Sequence, residues 1–215
     1  MGSTSKKGGK TSAANGEDEY LLAAAQDAVR LCERRGAPRF LGFLDGRQRA
    51  AVLKLMESLH VKNAAFWGGY PDAERVYFGV FPDYMAWEGD SEGIPHLVFP
   101  LTALGFRYRK EAKLTHRDFL GTLLSCGVKR ETVGDILCGE GLAVAFVDAG
   151  VADFLAGQIE KVGGEGVVLL PDYEGELPGF GGFREIRDTV ASPRLDAVVK
   201  VAAGLSREEA ARRIE

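Results

Sequence analysis

The sequence predicts an α+β protein, with an N-terminal ααββ unit followed by a βαββαβ domain. Two patterns predict this class. In residues 18–90, two helical patterns precede two strand-like runs. In residues 95–172, strand-like and helical runs alternate in the order strand, helix, strand, strand, helix, strand. The 215 residues are 46% hydrophobic, which is enough apolar material for ordinary packed cores.

The N-terminal elements follow from residue spacing. Residues 1–17 are rich in Gly, Ser, Thr and Lys without apolar periodicity, which predicts a disordered tail. Apolar residues at helical spacing predict one helix from Tyr20 to just before Gly36 and a second that begins after Asp45 as its N-cap. The stretch PRFLGFLD between them is expected to be a connection. AAFWGGY and RVYFGVF, separated by PDA, predict an antiparallel hairpin.

The second region begins with the extended run HLVFPLTALGFRY and continues with a helix that Thr115 opens. The strands GDILC and LAVAFVD flank the turn GEG, and the helix ADFLAGQIEKV precedes the strand GVVLL. This order is typical of a ferredoxin-like, or RNA-recognition-motif-like, sheet with two helices on one face. Residues 173–190 are expected to form a linker and a strand. Residues 191–215 predict two short helices broken at Gly204, with Ser206 and Glu209 as a capping box.

Charge is segregated along the chain, although the net charge is only −4. Residues 105–134 carry seven basic and three acidic side chains, a net charge of +4. Residues 135–180 carry nine acidic side chains against the single base Lys161. This distribution predicts one basic and one acidic surface.

Several classes of protein are disfavoured. The sequence has no run of about 18 apolar residues and no apolar N-terminal signal, so no membrane association is expected. The three cysteines, Cys32, Cys126 and Cys138, are widely spaced and odd in number, which indicates a reducing cytoplasm. The histidines are isolated, and the WGGY and PGFGGF glycines lack a P-loop context. Neither a metal nor a cofactor is therefore expected.

The stretch KLTHRDFLGTLLSCGVKRETVGDIL, residues 113–137, allows two chemical interpretations. In an enzyme, His116 and Asp118 could act as base and orienter, with Ser125 or Cys126 as nucleophile. A helix that starts near Thr115 places His116 and Asp118 about 200° apart, which disfavours catalysis.

The other interpretation is a nucleic-acid surface, with a solvated basic helix end as the plain alternative. Cations flank the helix start, two arginines alternate on the preceding strand, and two more basic residues follow the helix. The candidate contacts are Arg107, Arg109, Lys113, His116, Arg117, Lys129 and Arg130.

A family resemblance is carried by the same stretch. THRDFLGTLLSCGVKRETVGDIL resembles the signature segment of the YlmH family, in which a THRD start, a glycine turn with an arginine and a GDI strand recur. FLDGRQRAAVLKLM, FWGGYPDAERV and FPDYM resemble the N-terminal portion of that family, in the same order. The resemblance covers residues 20–215.

The final stretch, SPRLDAVVKVAAGLSREEAARRI, resembles the first half of the S-four RNA-binding domain. The resemblance implies that Asp196 orients a basic group and that Arg207 contacts phosphate, within an RNA-contact region formed by Arg194, Asp196, Ser206 and Arg207. It implies a module core of Leu195, Val198, Val199, Ala210 and Ile214. The strand segment that follows in the module has no counterpart in this sequence, so the chain is expected to be a truncated form.

The function that the resemblance implies is that of a non-enzymatic, ribosome-associated factor. Its expected partners are the RNA of the large ribosomal subunit and transfer RNA, and its expected role is the rescue of stalled translation. We expect a cytoplasmic monomer with no small-molecule substrate. Two alternatives stay open: an RNA-modifying enzyme resembling pseudouridine synthases that uses the S-four region for docking, and an adaptor protein that binds partners through the acidic surface.

Overall fold

The computed structural model describes residues 9–85, 98–179, 188–190 and 194–214. The chain divides into two compact units, Met1–Gly179 and Phe180–Glu215. The predicted regions 18–90 and 95–172 both belong to the first unit.

The N-terminal part of the first unit has the order αβαββ. Its elements are α1 (Gly9–Arg35), β1 (Arg39–Leu44), α2 (Gly46–Ser58), β2 (Ala64–Trp67) and β3 (Val76–Val80). The predicted hairpin is confirmed, because β2 and β3 pair antiparallel. The predicted helices are also confirmed, including Asp45 as the N-cap of α2, and the structure adds a capping box between Asp45 and Gln48.

Two predictions about this part are wrong. PRFLGFLD is not a connection, since β1 pairs antiparallel with β3 and gives the sheet order β1-β3-β2. The central strand β3 pairs with β1 on one edge and with β2 on the other, and all of its residues are buried. The predicted tail is also partly helical, because α1 begins at Gly9; residues 1–8 lie outside the described residues.

The second part has the predicted βαββαβ order with one addition. Its elements are β4 (Leu101–Arg107), α3 (His116–Ser125), β5 (Val133–Cys138), β6 (Leu142–Asp148), α4 (Ala149–Gln158), β7 (Lys161–Val162), β8 (Glu165–Gly166) and β9 (Val168–Leu170). The antiparallel sheet has the order β5-β6-β4-β9, so each strand-helix-strand crossover skips one strand, as in a ferredoxin-like sheet. The addition is the hairpin β7-β8, which replaces the predicted end of α4.

The two sheets of the first unit pack face to face. Helices α1 and α2 cover one face of the three-stranded sheet, where Val29 of α1 and Val52 of α2 share a buried cluster with Phe78 of β3. Helices α3 and α4 cover one face of the four-stranded sheet around Phe119 and Leu155. The remaining faces meet in a common core of buried apolar and aromatic residues that includes Phe43, Tyr70, Tyr77, Val144 and Phe146. The result is a helix, sheet, sheet, helix order of layers.

The second unit contains α5 (Leu195–Ala203) and α6 (Arg207–Ile214), which contact each other. Gly204 adopts a left-handed conformation, with φ of 63°, and ends α5 as predicted. The implied core is only partly confirmed: Ala210 is buried, but Leu195, Val198 and Ile214 are exposed. Two paired helices can bury only the sides that face each other. Most of the strand expected in residues 183–190 lies outside the described residues, and so does the stretch WEGDSEGIP, residues 87–95, at the boundary between the two predicted regions.

Candidate nucleic-acid interface

The face of the four-stranded sheet that carries no helices is covered from within the same unit. Tyr70 stacks on Phe146 of β6, with 5.0 Å between ring centroids. On the neighbouring strand β4, the ring of Tyr173 lies over Gly105, where an added Cβ would come within 2.7 Å of it. The aromatic side chains on this face are therefore core residues, so it does not offer them as a platform for stacking bases.

Asp135 joins the two sheets. The pairing of β5 and β6 shifts register between Val133 and Ile136, and such a bulge redirects the intervening side chains. Asp135 is 9% exposed, and its carboxylate accepts hydrogen bonds from the Tyr70 hydroxyl at 2.8 Å, the Glu74 amide at 2.7 Å and the Arg75 amide at 3.1 Å. The loop between β2 and β3 is thereby anchored to the second sheet.

Arg130, which was predicted to contact RNA, lies at this contact between the two sheets. Its guanidinium donates to the Val133 carbonyl, and its own carbonyl accepts from Arg75 at 3.4 Å. Arg75 also donates to the carbonyls of Phe43 at 2.9 Å and Val133 at 3.1 Å. Burial lowers the pKa of both guanidinium groups. The structure thus gives Arg130 a structural role, because its half-buried side chain turns back onto β5.

The raised pKa values of two buried tyrosines, Tyr70 and Tyr77, predict that the contact between the two sheets loses stability at alkaline pH. Burial, and then the hydrogen bond to Asp135, raise the pKa of Tyr70; burial, and then the hydrogen bond to Asp148, raise the pKa of Tyr77. Both tyrosines have a higher pKa in the folded state than in the unfolded state. The stability that they contribute is therefore fully present below about pH 10 and is lost as the pH rises above it. Urea unfolding between about pH 9 and 11 should show a falling free energy of unfolding.

The matched comparison for this prediction uses single tyrosine replacements. In Tyr70→Phe, the free energy of unfolding should fall less steeply with pH than in the wild type, because one buried phenol is gone. Tyr20→Phe, at a position that is 79% exposed, should follow the wild type. Equal slopes in all three proteins would contradict the prediction.

The start of α3 exposes basic side chains beside an internally capped helix end. The Asp118 carboxylate accepts from the Thr115 amide at 2.8 Å and from the Thr115 hydroxyl at 2.7 Å, and these bonds lower the pKa of Asp118. His116 and Arg117 are exposed. Thr115 and Asp118 therefore form a capping box, and the exposed side chains are the groups that can reach a phosphate.

Three of the residues considered for catalysis, Ser125, Cys126 and Asp118, are engaged in local hydrogen bonds. The Ser125 hydroxyl donates to the Thr122 carbonyl at 2.7 Å, and the Cys126 thiol contacts the same carbonyl at 3.5 Å. Asp118 is held by Thr115. The structure does not bring these groups together as a nucleophile with its base.

The other basic residues of the first unit that were predicted to contact RNA differ in whether an acidic side chain already lies against them. Arg107, the last residue of β4, and Lys113 are exposed. Lys129 is exposed and lies 3.6 Å from Glu131. Arg109 lies beyond the end of β4, where its guanidinium binds both oxygens of Glu165, at 2.6 and 2.8 Å. Arg109 is therefore already paired with a carboxylate.

The predicted acidic surface is reduced by internal contacts. Asp135 and Asp148 accept hydrogen bonds from tyrosines, Asp172 accepts one from Thr102 at 2.8 Å, and Glu165 binds Arg109. Other acidic residues of this segment are exposed, namely Glu140, Asp153, Glu160, Glu174 and Glu176.

In the second unit, three of the four implied contact residues take part in local hydrogen bonds. The Arg194 guanidinium donates to Asp196 at 3.1 Å, and the role of Asp196 in an RNA contact stays a prediction. The Ser206 hydroxyl donates to Glu209 at 2.7 Å and accepts from the Glu209 amide at 3.2 Å, so the predicted capping box is present. Arg207 begins α6, and its side chain lies outside the described residues.

Asp135, Arg75 and Lys161 were not predicted from the sequence to have a structural or binding role. An acidic residue inside the apolar strand VGDILC was the available signal for Asp135, because a buried carboxylate requires donors. Lys161 is exposed on β7, in a hairpin that the sequence did not predict.

Two further properties of the described ranges concern metal binding and membrane insertion. Within residues 9–85, 98–179, 188–190 and 194–214, no three His, Cys, Asp or Glu side chains gather as a metal site. Among the helices of those same ranges, none has the length and hydrophobicity to cross a membrane.

Comparisons with known proteins identify both the family and the fold. Residues 99–172 match the model of a family described as a putative RNA-binding domain in YlmH. Ribosome-associated protein quality control protein P2 of Bacillus subtilis is 33% identical over 195 residues, which cover 90% of this chain and 73% of that protein. A solved structure of the cell division protein YlmH from Streptococcus pneumoniae has a TM-score of 0.57 at 20% identity, covering 79% of this chain and 95% of that one, and it shares the fold. The identity and coverage of the Bacillus protein show that this chain belongs to the YlmH family.

Proposed function

We propose that this protein binds ribosomal RNA and transfer RNA on the large ribosomal subunit, as a cytoplasmic, monomeric and non-enzymatic factor in the rescue of stalled translation. The family model describes residues 99–172 as a putative RNA-binding domain, and the Bacillus relative is named for ribosome-associated quality control. The observation that carries the proposal is the group of exposed cations at the start of α3, Lys113, His116 and Arg117. Such groups suit phosphates of structured RNA.

Co-sedimentation with purified large subunits tests this function. The wild type should pellet with the subunits at about 50 mM salt and dissociate progressively toward about 200 mM, because binding releases counterions from phosphates. The double variant Lys113→Ala and Arg117→Ala should lose association at lower salt. A charge-matched control, Lys54→Ala and Lys62→Ala, removes two exposed cations from the N-terminal part and should behave as the wild type.

Failure of the wild type to pellet at low salt would refute the proposal. Equal losses in the double variant and its control would refute the assignment of the site, because they would show a general charge effect.

The pair of Arg109 and Glu165 gives a second prediction. Replacement of Glu165 by Ala should release the Arg109 guanidinium, strengthen association with large subunits and steepen its salt dependence by about one unit of slope. Arg109→Ala should change association little, because that guanidinium is already paired with a carboxylate. Glu174→Ala, which removes an exposed acid elsewhere, is the matched control. An equal gain in Glu165→Ala and Glu174→Ala would show that only net charge matters.

A further inference from the structure

The covered sheet limits the kind of RNA that the first unit can recognise. Proteins that hold single strands on a sheet stack the bases on exposed aromatic rings. Here Phe146 is 3% exposed beneath Tyr70, and Tyr173 lies over Gly105. Helices α3 and α4 cover the opposite face. RNA recognition by this part of the protein therefore has to use the outer surface of a helix or the ends of the strands.

The outer face of α3 is open and lined by small residues after its first turn. Arg117, Gly121 and Ser125 are exposed and, at a spacing of four residues, lie on one side of the helix. A Cβ added at Gly121 would meet nothing within 4 Å, so packing does not require glycine there. Glycine inside a helix costs about 1 kcal/mol relative to alanine. The glycine leaves a shallow surface beside the Arg117 cation.

The hairpin β7-β8 adds a cation next to this helix. A Cβ at Gly163, in the turn of the hairpin, would lie 3.1 Å from Leu114 and 3.4 Å from Asp118. This contact places the hairpin against the first turn of α3, and β7 carries the exposed Lys161. Cations thus lie on the loop before α3, on its first turn and on the neighbouring hairpin.

We propose that this surface, formed by Lys113, His116, Arg117, Gly121, Ser125 and Lys161, binds the sugar-phosphate backbone of double-helical RNA. The inference deepens the proposed function and rests on it. A backbone strand lies along the open side of α3, and Gly121 allows its close approach while the cations neutralise phosphates on either side. Recognition of this kind depends on the shape and charge of the duplex rather than on base sequence.

Two glutamate substitutions test the surface in the full chain. Gly121→Glu places a negative charge in the middle of the proposed surface at a position where the side chain meets no protein atoms. Gly157→Glu is the matched control, since Gly157 is an exposed helical glycine of α4 with equally open surroundings. Circular dichroism and thermal unfolding should show that both variants fold as the wild type does.

The probes are an RNA duplex of about 16 base pairs and a single-stranded oligouridine with the same number of phosphates. The wild type should prefer the duplex in fluorescence anisotropy, Gly121→Glu should weaken duplex binding about tenfold or more, and Gly157→Glu should stay within about twofold. Lys161→Ala should lower the salt slope by about one. A preference for the single strand, an absence of duplex binding, or equal losses in the two glutamate variants would overturn the inference.

Association with large subunits, measured in parallel, separates this inference from the proposed function. A wild type that pellets with subunits but prefers the single strand overturns the inference and leaves the function standing. A wild type that binds duplex through position 121 but does not pellet supports the inference and refutes the function.

Discussion

Asp135→Ala is expected to lower the free energy of unfolding by about 3–5 kcal/mol, because a buried donor left without its acceptor costs about 1–3 kcal/mol and three donors lose theirs. The substitution takes the acceptor away from the Tyr70 hydroxyl and from the amides of Glu74 and Arg75. The protein then loses the link between the β2-β3 loop and the second sheet, while those donors stay in a largely buried site.

Urea unfolding followed by circular dichroism measures this effect. Asp153→Ala, at an exposed position of α4, is the control and should change the free energy of unfolding by less than about 0.5 kcal/mol. Asp135→Asn retains the shape and one acceptor oxygen, so its loss should be smaller than that of the alanine variant. A change below about 1 kcal/mol in Asp135→Ala would show that the carboxylate is not what holds the two sheets together.

Gly69→Ala is expected to cost about 3 kcal/mol or more, because two penalties coincide. Gly69 has φ of 101°, a conformation that L side chains rarely adopt. A Cβ there would also lie 2.2 Å from the Phe146 ring, which Tyr70 stacks against. Backbone strain and overlap with a buried ring both disfavour the folded state.

A second glycine separates the two penalties. Gly164 has φ of 86°, but a Cβ there would meet nothing within 4 Å, so Gly164→Ala pays for the backbone conformation alone. Its cost should be about 1–2 kcal/mol. Replacement of Phe146 by Leu in the Gly69→Ala protein should recover part of the loss, because the smaller side chain relieves the overlap. Equal costs for Gly69→Ala and Gly164→Ala would show that the ring contact is unimportant.

The closed sheet changes what the ferredoxin-like order implies about binding. That order alone suggests a platform of strands on which bases stack. In this protein the N-terminal sheet and Tyr173 occupy that position, and the accessible cations lie around α3 and the hairpin β7-β8. The interface proposed here therefore depends on phosphate contacts, and its affinity should vary strongly with salt.

Local signals predicted most elements but not their partners. The N-caps Asp45, Thr115 and Ser206 could be predicted because a cap and its partner are three residues apart. Strand β1 was missed because its partner β3 lies far along the chain. The hairpin β7-β8 was missed because strands of two residues carry too little pattern.

The same difference explains the outcome for the candidate site. Sequence identified the basic segment 105–134, and His116, Arg117 and Lys113 are exposed there as a surface requires. It could not distinguish them from Arg130, whose guanidinium turns onto the Val133 carbonyl, or from Arg109, which pairs with a glutamate 56 residues away. The sequence shows where the charged residues are. Whether a charged side chain is free to bind RNA depends on the groups that the folded chain places next to it.

By itself, the sequence determined the α+β class, the helix caps, the antiparallel hairpins β2-β3 and β5-β6, and the family, because each rests on residues close together in the chain. The tertiary structure decided that the two sheets pack face to face, that Asp135 joins them and that the ferredoxin-like sheet has no open face. These features require side chains about 60 residues apart to meet, and such a meeting is stabilised by burial and hydrogen bonds that no local pattern encodes.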